Sequence, residues 1–189
     1  MKKLWSFVKW VPLVLLVGIL VGLFAFDGWE DLDHGRKYRL ANKMFSVREE
    51  IDEVRIYLLV GSDKTSPPGG KFRLGMLGGT YDAFGSVVLK GEEASGFTSL
   101  WSGQQPIHSS IGCHEPAYGF RLLRKGRLVR EAALCWRCSN FSYPLWPGNA
   151  GVTSFDATSE QGIALFEFCT TRLPFEGYEK ELQKLRGKR

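Results

Sequence analysis

Three of the chain's four cysteines fall between residues 113 and 138, in the stretch CHEPAYGFRLLRKGRLVREAALCWRC. Thiols so placed serve as zinc ligands, a redox pair, a disulfide framework or buried packing. A zinc site would take Cys113, Cys135 and Cys138, with His114 or Cys169 as the fourth ligand. One C-x-x-C lacks the second close pair of a zinc knuckle. Cys135 and Cys138, three apart, also face opposite sides of a strand unless the chain turns at Trp136-Arg137. A redox pair needs its first cysteine at a helix N-terminus, where the thiol pKa falls. SNFSYPLWPG, which follows the pair, does not read as a helix. The expectation is therefore no cofactor, with zinc as the alternative. Cys113 is expected to bridge to the C-x-x-C, with Cys169 joining the remaining cysteine or staying a buried core thiol.

The other reactive side chains make no catalytic set. His108 precedes Ser109-Ser110, but no G-x-S-x-G elbow is present, so no catalytic residue is assigned. His114-Glu115 beside Cys113 is the one cluster of several reactive types, and it also fits a polar loop entering a strand. SPPGGKF departs from a P-loop: Thr65 stands where its first glycine belongs, and Phe72 replaces the magnesium-binding hydroxyl. Arg121, Arg124, Lys125, Arg127 and Arg130 form a basic patch that an acidic protein or anionic lipid could meet, or a solvated tip that protects a sheet edge. The net charge is +5, with no RNA-binding signature, zinc-finger spacing or long basic run, so nucleic acid is not an expected partner.

Several elements must position these residues. AYGFRLLRKGRLVREAALCW reads as a hairpin turning at Lys125-Gly126, pairing Arg124 with Arg127 and carrying Cys113 toward Cys138. EVRIYLLVG (53–61) reads as a strand, and KFRLGMLGGTYDAFGSVVLKG as further strands around Gly78-Gly79. Residues 36–45 and 92–101 read as short helices. Ser46-x-x-Glu49 is a capping-box pattern opening a turn or two. A second such pattern, Thr158 to Gln161, opens a helix that ends near Leu173 and lines up Ile163, Leu165, Phe166, Cys169 and Leu173. SGQQPIHSSIG and SNFSYPLWPGNAGVTS read as loops, and GYEKELQKLRGKR as a polar helix or tail.

The N-terminus differs in kind. Residues 10–26 carry no charge, and seventeen helical residues span roughly 26 Å, the short end for a bilayer core. Trp5 and Trp10 suit the interface, and Lys9 can snorkel to the headgroups. Leu23-Phe24-Ala25 is a poor cleavage site, which favours an uncleaved anchor over a signal peptide. Lys2, Lys3 and Lys9 before the span favour the N-terminus inside. Gly18 and Gly22 form a G-x-x-x-G through which two such helices could associate. The expected organisation is an anchor and connector over residues 1–33 and one soluble domain over 34–189. The expected fold class is α+β: an N-terminal transmembrane helix, then one antiparallel-sheet domain with a C-terminal helix packed on it.

Cys113, Pro116, Tyr118, Gly119, Arg121, Cys135, Trp136 and Cys138 carry a resemblance. The stretch is similar to a family of small bacterial domains in which C-x-x-P-x-Tyr/His-G-x-R leads into a hairpin ending in C-aromatic-x-C. The resemblance covers about 30 residues and implies no particular activity. It also implies that the cysteine arrangement is not limited to secreted proteins, which weakens the disulfide expectation and slightly raises the metal alternative.

These readings converge on an expected function. The chain is a single-pass protein of the cytoplasmic membrane, lodged in lipid through residues 5–26, and not an enzyme. It presents a small binding or interaction domain outside the cytoplasm. The alternatives are a zinc-binding domain and a thiol oxidoreductase.

Overall fold

The computed structural model describes residues 38–60, 69–75, 79–107, 114–144 and 150–187, together with Gly35. The chain divides into two compact units, Met1–Arg39 and Leu40–Arg189. The second holds every described strand. They are β1 (Glu53–Leu58), β2 (Gly70–Arg73), β3 (Thr80–Ala83), β4 (Gly85–Lys90), β5 (Pro106–Ile107), β6 (Tyr118–Arg124), β7 (Arg127–Cys135), β8 (Asn140–Pro144) and β9 (Ala150–Phe155). The helices are α1 (residues 38–45), α2 (Glu92–Ser102), α3 (Glu160–Arg172) and α4 (Tyr178–Arg186).

The architecture is α+β, but the expected transmembrane helix is corrected. Among the described residues no helix is long and apolar enough to cross a membrane. The longest, α3, has 13 residues, about 20 Å of rise, and charged ends. Residues 5–26, with Gly18 and Gly22, lie outside the described residues.

Seven strands form one antiparallel sheet in the order β4-β1-β6-β7-β8-β9-β5, and β2-β3 form a separate ribbon. One face carries Val54, Ile56, Phe120, Leu122, Leu134 and Phe141 into a core shared with the helices. Rings dominate there: Trp136 lies 5.8 Å from Phe155 and 5.1 Å from Phe166. Trp101 lies 5.7 Å from Phe120. The opposite face carries a smaller cluster of Phe72, Leu74 and Ala133 beneath the β2-β3 ribbon.

The helices follow from local chemistry. α2 starts after Gly91 at φ +57°, with Glu92 and Glu93 favouring the positive helix end, and buries Ala94, Phe97 and Trp101 along one stripe. α3 is capped by Ser159, whose Oγ accepts from Gly162 N at 3.0 Å. The expected box beginning at Thr158 is thus displaced by one residue. Asp156 Oδ1 takes the N–H groups of Thr158 and Ser159 in a preceding turn. The Ser46 box does not form either: α1 ends there, with Ser46 N donating to Asn42 O, and residues 46–50 are non-helical.

The β6-β7 hairpin turns at Lys125 (φ +50°) and Gly126 (φ +73°), and Arg124 pairs with Arg127. A bulge between Leu122 and Leu123 then advances the register by one residue. Residues 139–154, expected as loop, contain β8 and all but the last residue of β9. Asn140 and Ser142 on β8 are fully buried polar residues, which hid the strand from a hydrophobicity reading.

Candidate functional site

Tyr118 and Trp136 of the motif enter the helical core, whereas Gly119 and Arg121 lie on the sheet face away from it. Strand alternation puts Gly119 on β6 between Tyr57 and Ala133 there. A Cβ at Gly119 would sit 2.9 Å from the Phe72 ring, so the missing side chain is what lets the β2-β3 ribbon lie flat on the sheet. Arg121 braces this contact. Its guanidinium lies 5.2 Å from the Phe72 ring centre and 5.5 Å from that of Tyr57. It donates from Nε to Glu131 Oε2 at 3.3 Å and from Nη2 to Arg73 O at 3.0 Å. Glu131, 6 % exposed, also accepts from Gly75 N at 2.7 Å. The buried carboxylate is therefore charge-paired and fastens the ribbon to the sheet.

Beside this clip, His114 lies over β8. Its Nδ1 is 2.6 Å from Asn140 Oδ1, and its Nε2 is 2.9 Å from Ser142 Oγ. An amide oxygen only accepts, so Nδ1 carries the proton and Nε2 accepts from the serine hydroxyl. Burial holds the imidazole below its ordinary value, against the opposing effect of the Asn140 bond. Serine, neutral histidine and an orienting amide are the order of a nucleophile, its base and the base's support. Asn140 and Ser142 are 0 % and 1 % exposed, so both are closed to solvent, while His114 is only partly buried. The sequence reading singled out His114 but missed both partners. They lie 26 and 28 residues away, and no spacing motif joins them.

The cysteines separate. Cys138 is disulfide-bonded, while Cys135 and Cys169 are free buried thiols. Cys113 lies outside the described residues. The chain does turn after Cys135, and Cys138 N donates to Cys135 Sγ at 3.3 Å. Burial pushes both free thiols up, away from the reactive thiolate. Cys169 sits in the helical core, whereas strand alternation puts Cys135 on the Ala133 side of the sheet. A disulfide sulfur is not a zinc thiolate. Among the described residues, no group of three or more His, Cys, Asp or Glu side chains gathers as metal ligands would.

The aromatic residue of the C-x-x-C belongs to the core. Trp136 is 1 % exposed and donates from Nε1 to Gly162 O at 2.9 Å. Tyr118 donates from its hydroxyl to Leu173 O at 2.5 Å, and burial raises its pKa.

The basic residues do not form one free tip. Arg124, Lys125 and Arg127 are exposed. Lys125 N is held by Asp52 Oδ2 at 2.7 Å. Arg121 is spent on Glu131, and Arg130 folds back toward α1, with Nη1 on Val129 O at 2.8 Å and Nη2 3.5 Å from Ser46 O.

No family model, curated protein or solved structure matches the chain.

Proposed function

We propose that this chain is a cell-envelope domain that acts by binding and folds in an oxidising compartment, with membrane lipid a partner of its apolar residues 5–26. The observation that carries this reading is the disulfide at Cys138 beside two buried thiols that stay reduced. The fourth cysteine, Cys113, is the proposed partner. Packing accounts for the motif side chains: Gly119 receives Phe72, Arg121 pairs with Glu131, and Trp136 fills the core.

The test is a phosphatase reporter, active only after export, fused behind Arg189, with thiols counted on the unfolded full chain. An active reporter and two free thiols are expected. An inactive reporter with four free thiols would overturn the reading.

A further inference from the structure

An open groove runs between α1 and the outer end of β7, and its two halves differ in character. One half, about 290 Å³, has an apolar floor of Leu40, Met44, Leu128, Val129, Tyr143 and Pro144. The other, about 500 Å³, is lined by Lys43, Arg48 and Arg130, with Glu49 the single acid. Lys43 and Arg130 line both halves, so apolar and cationic walls meet at those two side chains. Volumes of this order accept small ligands, about 300–1,000 Å³ being usual.

Arg130 is the unusual residue. Among the described residues its guanidinium hydrogen-bonds to backbone carbonyls, of Val129 and Ser46. Its Nε is buried without a hydrogen-bond partner among the described residues. The Glu49 carboxyl, in the same half, is held below its ordinary value by its own backbone N–H and, next, by the Arg130 charge, but no hydrogen bond or ion pair joins the two side chains among the described residues. A guanidinium drawn partly out of water without a bonded carboxylate is costly, and a second anion relieves that cost. Glu131 also lines the apolar half, with its carboxylate committed to Gly75 N and Arg121. Glu49 leaves two net positive charges among the four ionisable residues of the cationic half. Leu128, 45 % exposed, stands at the mouth of the apolar half.

We propose that this groove binds a long-chain fatty-acid anion, its carboxylate against Arg130 and Lys43 and its chain along Leu40, Met44 and Leu128. The proposal names a ligand class for the binding domain and rests on that reading. A carboxylate suits a guanidinium, whose paired N–H groups take two oxygens together. Each buried methylene adds about 0.8 kcal/mol. A neutral chain would gain only the second contribution, and a free small anion only the first.

The test uses the full chain in nanodiscs of zwitterionic phosphatidylcholine, with a diazirine-bearing long-chain fatty acid and its methyl ester as probes. Cross-links are mapped by peptide mass spectrometry, which separates the groove from residues 5–26. The expected result is cross-linking at residues 40–44 and 128–130 by the acid, several-fold weaker with the ester. Lys43→Gln and Leu128→Ser, both at exposed side chains, should cut groove cross-links several-fold without moving the urea midpoint. Cross-links confined to residues 5–26, or equal yields from acid and ester, would overturn the proposal. The export reporter does not depend on the groove, so the two ideas fail separately.

Discussion

His114 is held neutral by burial between Asn140 and Ser142, and stability should report that state. Its folded pKa lies below the ordinary 6.5, so as pH falls the unfolded chain takes the proton first. The contribution is complete above the unfolded pKa and is lost as pH drops through the folded one. Melting temperature should therefore decline from about pH 7 to about pH 5, and His114→Gln should flatten that decline. A slope unchanged in the variant would place the proton elsewhere. The two free thiols make a second prediction. Cys135 and Cys169 are 1 % and 0 % exposed, so iodoacetamide should modify neither until denaturant unfolds the chain. Rapid alkylation of native Cys135 would instead revive thiol chemistry at the C-x-x-C.

At the scale of elements, the β2-β3 ribbon depends on one absent side chain. Gly119→Val would drive a branched side chain into the Phe72 ring, with its Cβ only 2.9 Å from three of the ring carbons. Overpacking of this kind costs about 1–3 kcal/mol, read as a lowered urea midpoint. The α3 cap is a smaller and cleaner case. Ser159→Ala removes the acceptor for Gly162 N and should cost about 1 kcal/mol. Thr158→Ala, at the position the sequence pattern suggested for the cap, should cost less than Ser159→Ala, because Asp156 still binds Thr158 N. The hairpin turn was legible because Lys125-Gly126 sits between two strand-like runs. The bulge at Leu122/Leu123 was not, since nothing in the local residue types announces an extra residue.

At the scale of the molecule, the disulfide and the core share the work of stability. Removing the bridge by Cys138→Ser should lower stability by about 2–5 kcal/mol in urea denaturation. Trp136→Ala should cost about 3–5 kcal/mol, because the ring packs against both Phe155 and Phe166. Much of this frame was readable in advance. The apolar stripe of α3, the strands β1, β6 and β7, and the buried place of Cys169 follow from periodicities of 3.6 and 2. Three things were decided only by the tertiary structure. The pairing of β8 with β7 and β9 makes strands of a segment rich in turn-forming residues. Crossing the sheet brings His114 to Asn140 and Ser142. The bulge at Leu122/Leu123 pairs Arg130 with Leu122 instead of Arg121 and so puts the two arginines on opposite faces, sending one to Glu131 and the other into the groove. The physical reason is common to all three. Residue order along a chain encodes which faces are apolar within one element, but long-range pairing is chosen by burial summed over many elements at once.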